Sequence, residues 1–477
     1  MNFVIFVNGL VLLFSAALMG VDALFFPETA AAFALSGVLT GFVGMALTLS
    51  SNSSFENMHR LHGFLLTSSV WVTAALAGAV PLYMTTLSPV DALFESMSGI
   101  TTTGSTVMSG LDSTPRGIIL WRAILQAVGG VGFIVTGIAL LPILKVGGMQ
   151  LFRTESSDKS EKELSNAAKF ASATLMVYLG LMTFCALVYA VGGMSIFDAI
   201  THAMTTLSTG GYSGYDASFG HFQSPFLQWS GTFFMLMGGL PFAWYIRAFH
   251  RGAFRSEQVI MMLWSLGAVI SVLTLWLTLT SGMNVFVAAR LVAFNVVSVV
   301  TTTGFATTDY LVWGYFAAAV FFALTAVGGC TGSTSGGVKA MRWIMLFRAT
   351  KSEIARVHSP HSIQTLRYEG RQVQPDVLSG VIAFFVFYVA TFSIIAVILA
   401  FLGLDLETAT SGAITALANV GPGVGSVIGP AGNFASLSAP VKVVLVVAMY
   451  LGRLEMLTVF ALLTPVFWRE VMPAREA

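Results

Sequence analysis

Apolar stretches of about twenty residues return along the whole chain, and no other feature constrains its folding as strongly. They lie near residues 3–19, 30–49, 63–83, 118–146, 171–191, 227–246, 259–279, 313–342, 378–404 and 441–467. Each is long enough, as a helix, to cross a hydrocarbon layer of roughly 30 Å. A water-soluble chain of 477 residues would also need a charged coat. Here only 9% of residues are charged and 56% are apolar, against roughly 25% charged in an ordinary soluble domain. The expected fold class is therefore an all-α polytopic membrane protein with about ten full spans, in contact with a lipid bilayer. The net charge of +1 and the lack of a basic block give no reason to expect nucleic acid. Cys185 and Cys330, both in apolar surroundings, imply neither a disulfide framework nor a zinc site. The first stretch has no basic leader region and no clear cleavage site, so it reads as a first span, with a signal peptide as the alternative.

Between the spans lie shorter segments that cannot cross a bilayer. Four of them align without a gap on a glycine: 91–105 (DALFESMSGITTTGS), 198–212 (DAITHAMTTLSTGGY), 291–305 (LVAFNVVSVVTTTGF) and 408–422 (TATSGAITALANVGP). The aligned glycines are Gly104, Gly211, Gly304 and Gly421, and two residues before them stand Thr102, Thr209, Thr302 and Asn419. A feature that returns about every hundred residues marks an internal repeat. The expected organisation is an N-terminal pair of spans (1–60) followed by four span, short-helix, span units at 61–150, 165–250, 255–350 and 375–477.

Basic residues test this layout. Lys145, Arg153, Lys159, Lys162 and Lys169 lie in the first linker between units, Arg247, Arg251 and Arg255 in the second, and Lys339, Arg342, Arg348, Lys351, Arg356, Arg367 and Arg371 in the third, with Arg469 and Arg475 near the end. If the short segments crossed the membrane, successive linkers would alternate sides and break the positive-inside bias. If the segments enter and leave on one face, all the linkers share the cytoplasmic side. The repeats then run parallel, and both chain termini are cytoplasmic.

A re-entrant helix followed by extended backbone is tolerated at membrane depth only where protein or a water-filled path surrounds it. Four of them can close around one pseudo-fourfold axis, with the negative ends of their dipoles directed at it. Glycine lets carbonyls turn inward, and threonine adds a hydroxyl on a stiff side chain. A ring of carbonyls can replace the water shell of an alkali cation. No carboxylate lies within the four runs, which argues against tight divalent binding.

The runs TTTGS, STGGY, TTTGF and NVGPG resemble the four filter sequences of the Trk/Ktr/HKT superfamily of potassium transporters, and the extra N-terminal pair of spans is similar to the Trk type (TrkH-like). The resemblance covers essentially the whole chain. It implies potassium as the permeant ion, with some rubidium and sodium, in a bacterial inner membrane. It also implies a pore within each subunit, a homodimer, and a cytosolic nucleotide-binding regulatory ring (TrkA-like), with nucleotide acting only through that partner and no further cofactor. Carried over position by position, the ion-lining residues are Thr102, Thr103, Gly104, Thr209, Gly210, Gly211, Thr302, Thr303, Gly304, Asn419, Val420 and Gly421. Some plant members with serine at the first filter glycine favour sodium, and Gly104 here favours potassium. The fourth run departs most, so its hydroxyl ring is incomplete and selectivity looser.

Two further features suit a regulated pore. The stretch 327–339 (VGGCTGSTSGGVK), with Gly328, Gly329, Gly332, Gly336 and Gly337, would be a poor lipid-facing helix. It reads either as a flexible loop below the filter or as a close-packed kink, and family resemblance makes it a gate. Arg453, in an otherwise apolar span, needs a cavity or a partner. Glu455 is one possible partner, while the resemblance places Arg453 in the pore. Asp112, Asp216 and Asp309 follow the first three runs, either concentrating cations or as ordinary loop aspartates. Glu95, His202 and Asn295 share one register and suggest hydrogen bonding behind the filter. Arg290 suggests a carboxylate partner, and 351–374 suits docking of a soluble subunit or a solvated loop. The alternative function is an ion- or proton-coupled secondary cation symporter, though parallel repeats with almost no intramembrane Asp or Glu count against it. Without paired carboxylates or nucleophile arrangements in the spans, an enzyme is not expected.

Overall fold

The computed structural model describes residues 2–51, 60–144, 162–359, 365–454 and 456–471. Its first two helices, α1 (Asn2–Phe25) and α2 (Ala30–Ser50), form a tight antiparallel pair. The approach is possible because glycines face each other: a side-chain carbon on Gly44 would lie 3.0 Å from the carbonyl of Gly9. Small residues of this kind let helices approach where hydrocarbon supplies no hydrophobic drive. Asn8 pins the pair to α3 (Arg60–Thr85), donating to Ser69 Oγ at 2.8 Å and accepting from Thr73 Oγ1 at 2.6 Å.

After this pair the same order of elements occurs four times. A long helix, α3, α6 (Lys162–Val191), α10 (Glu257–Ser281) or α14 (Pro375–Phe401), precedes a short one. The short helices are α4 (Pro89–Ile100), α7 (Ile196–Leu207), α11 (Val285–Val300) and α15 (Leu406–Ala418). An extended segment and another helix follow: α5 (Arg116–Leu144), α8 (Pro225–Gly239), α12 (Tyr315–Thr325) and α16 (Ala439–Arg453). The starts of the short helices are written locally. Ser88, Ser195 and Asp405 each accept a hydrogen bond from the backbone three residues on, and Asn284 from two residues on, which satisfies donors that a helix leaves unpaired.

Packing closes these elements into a ring. The second helix of each set rests on the short helix of the next: α5 on α7, α8 on α11, α12 on α15, and α16 back on α4.

Among the described residues six helices are long and apolar enough to cross a membrane: α1, α2, α3, α6, α10 and α14. The expectation of ten continuous spans therefore needs correcting, because three of the later stretches are broken. The 227–246 stretch divides at Leu240 and Pro241 into α8 and α9 (Phe242–Arg251), as expected where proline removes a donor and restricts its neighbour. The 313–342 stretch divides into α12 and α13 (Ala340–His358), and the 441–467 stretch stops at Leu454 before the short helices α17 (Leu457–Leu462) and α18 (Pro465–Val471). A second departure is a small antiparallel hairpin, β1 (Arg367–Tyr368) with β2 (Arg371–Gln372). Its turn residue Glu369 accepts from Ser256 Oγ at 3.0 Å and from the Glu257 backbone at 2.8 Å. Lys145, Arg153, Lys159, His361 and Arg475 lie outside the described residues.

Candidate functional site

The four short helices end in one way. In the first, the amide of Thr102 donates to Gly99 O at 3.0 Å and that of Thr103 to Ser98 O at 2.8 Å. The equivalent outer bonds run from Gly210 to Thr205 O (2.9 Å), Thr303 to Ser298 O (2.8 Å) and Val420 to Thr415 O (3.0 Å). This is the paired C-terminal closure whose pivot residue must be left-handed. The pivots are Thr102 (φ 53), Thr209 (φ 52), Thr302 (φ 57) and Asn419 (φ 55). Three of the four are β-branched, where glycine would relieve strain of about 1 kcal/mol or more each.

Beyond the pivots the segments meet. Gly104, Gly211, Gly304 and Gly421 all line one cavity of about 250 Å³, and all have positive φ, from 75 to 111. Their order is cyclic. A side-chain carbon on Gly104 would lie 2.1 Å from Gly210 O, on Gly211 1.8 Å from Thr303 O, on Gly304 2.1 Å from Val420 O, and on Gly421 2.8 Å from Thr103 O. Each glycine thus faces the carbonyl that immediately precedes the next glycine around the ring. Side chains tie the segments together: Ser105 Oγ donates to Gly421 O at 2.8 Å, and Asn419 Nδ2 to Thr103 Oγ1 at 2.9 Å. Among the described residues, Asn419 Oδ1, buried near Gly452, has no hydrogen-bond partner.

Behind the ring, Glu95 (0% exposed) pairs with Arg122 (1%) at 2.8 Å. Glu95 also accepts from Thr106 Oγ1 and the Val107 amide, while Arg122 donates to Ser213 O and stacks 4.0 Å above Tyr212. His202 bridges Asp198 O and Ser213 Oγ, and Asn295 binds Thr307 through both ends of its amide. All three residues of the shared register therefore brace the stretch just beyond their glycines. Gln126 does the same from α5, donating to Gly210 O at 2.7 Å and accepting from the Tyr212 amide at 3.0 Å. Arg122 and Gln126 were not singled out from sequence, although an arginine within the apolar stretch 118–146 was a signal of the same kind as Arg453.

Above the ring the aspartates work within loops. Asp216 accepts from the Gly110 and Leu111 amides, Asp112 from the Asp216 amide, and Asp309 from that of Leu311. At the outer end of α15, hydrogen bonds from Thr408 hold the exposed Asp405 carboxyl below its ordinary value. Arg290 is half-buried, and among the described residues it forms no ion pair, so its expected carboxylate partner is not found.

Below the ring lies 327–339. Its backbone receives what the broken helices leave: the Cys330 amide donates to Gly239 O at 2.9 Å, and Phe242 donates to Gly332 O at 2.9 Å. It also reaches the short helices. Thr334 Oγ1 donates to Leu207 O (3.0 Å), the Gly337 amide to Ala418 O (2.8 Å), and the Gly336 amide to Thr302 Oγ1 (2.7 Å). The parallel bridge of Val327 with Val338 brings the loop's two ends together, and Gly328 packs against Gly336 and Gly337 while Gly329 packs against Ser335. Arg453, 3% exposed, donates to Thr334 O at 3.1 Å and to Gly129 O at 3.0 Å. Glu455, its alternative partner from sequence, is outside the described residues. Among the described residues no group of three His, Cys, Asp or Glu is arranged for a metal ion.

Comparison with known proteins covers nearly the whole chain. The profile of the TrkH family, described as cation transport proteins, matches residues 30–299 and 259–466. The chain is 48% identical to the Trk system potassium uptake protein TrkI of Halomonas elongata, over 85% of this chain and 84% of that protein. It is 34% identical to the Trk system potassium uptake protein TrkH of Escherichia coli, over 97% and 98%. The crystal structure of the potassium transporter TrkH from Vibrio parahaemolyticus superposes with a TM-score of 0.90 at 30% identity, over 98% and 99% of the two chains.

Proposed function

Because the chain belongs to the TrkH family of cation transport proteins, we propose that it carries potassium across a bacterial inner membrane through the ring of four glycines. One observation carries this reading: four glycines from four equivalent segments line a single cavity, each against the carbonyl preceding the next. Peptide oxygens of Thr103, Gly210, Thr303 and Val420 then replace the hydration shell of a monovalent cation, with some passage of rubidium and sodium. The left-handed pivots at Thr102, Thr209, Thr302 and Asn419 turn the chain back toward the axis, and their strain is a form of preorganisation. A neutral ring without carboxylates releases a monovalent ion that a charged ring would hold.

The 327–339 loop, with Gly328, Gly329, Gly332, Gly336 and Gly337, acts as the gate. Arg453 latches it, placing positive charge below the ring and bonding to both the loop and α5. Four parallel units around one pore, two cytoplasmic termini, a homodimer and a cytosolic nucleotide-binding ring complete the proposal, with no enzymatic step.

The test is rubidium and sodium uptake by purified protein in liposomes, with and without a soluble partner and with and without a pH gradient. Potassium-competable uptake that ignores the pH gradient is expected. No uptake under any of these conditions would remove the proposal, and uptake that follows the proton gradient would favour the coupled symporter.

A further inference from the structure

A second cavity, of about 130 Å³, lies between α1, α3 and α5 beside Ile100 at the end of α4. Phe14, Trp71, Ala74, Trp121, Val128 and Gly129 line it. The polar groups near it are already engaged: Ser15 Oγ donates to Val11 O, and Trp121 Nε1 to Gly78 O at 3.0 Å. Such a space offers water no partners. Apolar cavities of about 150 Å³ in proteins stay dry and take up benzene-sized ligands. Two of its walls, α1 and α3, are helices long and apolar enough to cross a bilayer, and Phe14 at its edge is 54% exposed on α1. The medium at that face is hydrocarbon, so the molecule available to enter is a lipid chain.

From this we infer that the cavity is a binding site for an acyl chain of a bilayer lipid. Its inner wall touches the latch below the glycine ring. Gly129 O accepts from Arg453, the Arg453 guanidinium lies 5.4 Å from the centre of the Trp71 ring, and a side-chain carbon on Gly129 would meet Ile100 O at 1.9 Å. An occupant that shifts Trp71 or Gly129 therefore moves the groups that hold Arg453 and the end of α4. This lever, though not the binding itself, rests on the transport reading above.

The test reconstitutes the full chain in phosphatidylethanolamine and phosphatidylglycerol vesicles doped with a phosphatidylcholine bearing a diazirine midway along one chain. After irradiation, adducts are expected on Trp71, Ala74 and Val128 as well as on outward side chains such as Leu10 and Leu39. Ala74→Phe should remove the inward adducts and spare the outward ones. Val128→Leu, which fills less space, should weaken them if the phenylalanine variant does not fold. Adducts on outward side chains only would overturn the site. So would missing inward adducts together with disulfide-linked dimers through Phe14→Cys, since a second copy would then cover the mouth. Rubidium flux should differ by about fivefold between myristoyl and oleoyl vesicles, and Ala74→Phe should abolish the difference. Equal flux with inward adducts present would overturn the lever. Zero flux with those adducts present would fault the transport reading and uphold the site.

Discussion

The two sides of the glycine ring are built differently. Above it lies a cavity of about 250 Å³ to which all four glycines contribute, walled by loops whose aspartates are occupied by backbone amides. Below it the space shrinks to about 20 Å³, room for little more than one water, between Ser335, Lys339, Arg342, Asn419 and Arg453. The outer side is held open by buried braces such as Glu95–Arg122, whereas the inner side is filled by a loop bonded to the ends of three short helices. Rigidity and filling thus fall on opposite faces of the ring, and under the proposed function ions would reach it freely from one side and meet an obstruction on the other.

The sharpest way to break this picture is at the ring itself. Gly211→Ala would set a carbon 1.8 Å from Thr303 O at a φ of 75, a clash and strain together worth about 3 kcal/mol or more. Rubidium uptake should fall to background with the protein still inserted, and near-normal uptake would disconnect the ring from transport. Next in size is the outer brace. Glu95→Gln leaves Arg122 buried without its counter-charge, a loss of about 3 to 5 kcal/mol, to be read as a lower thermal midpoint in detergent. If the midpoint holds, the pair is not what keeps the outer side open. On the inner side, Arg453→Ala removes two charged hydrogen bonds, each worth about 1.5 to 3 kcal/mol. About tenfold greater flux is expected, and equal or lower flux would take Arg453 out of the closure. The smallest effect concerns pH. The folded-state pKa of Asp405 is depressed, so its cap stabilises α15 above the ordinary carboxylate range and is lost as pH falls through the folded value. Acidification should lower the thermal midpoint of the native chain more than that of Asp405→Asn, and parallel acid profiles would show that the cap adds nothing.

The short helices and the turns that close them were largely legible from local chemistry. The four aligned segments announce the short helices, although their caps at Ser88, Ser195, Asn284 and Asp405 were not read, and the shared spacing of Thr102, Thr209, Thr302 and Asn419 to their glycines announces a common turn. The shared register of Glu95, His202 and Asn295 also indicated hydrogen bonding close to the glycines. Continuity of the later spans was misjudged because hydropathy does not register a break whose freed backbone groups are captured by another part of the chain. Leu240 and Pro241 look tolerable in an apolar run, yet the helix stops there and the 327–339 loop occupies its end. Partners distant in sequence were equally hidden: Arg122 with Glu95, Lys442 with Asp91 at 2.6 Å, and Arg453 with carbonyls of two other elements.

The amino-acid order alone settled the solvent, the short helices and the fourfold recurrence of one motif, since each is written in residues within one span or one turn of each other. That Gly104 meets Gly210, Gly211 meets Thr303, Gly304 meets Val420 and Gly421 returns to Thr103 was settled by packing in three dimensions. The same packing decided which helix breaks and what Arg453 holds. Those outcomes depend on backbone groups brought together across hundreds of residues, and every residue except proline carries the same backbone donor and acceptor, so no side-chain pattern records which ones will meet.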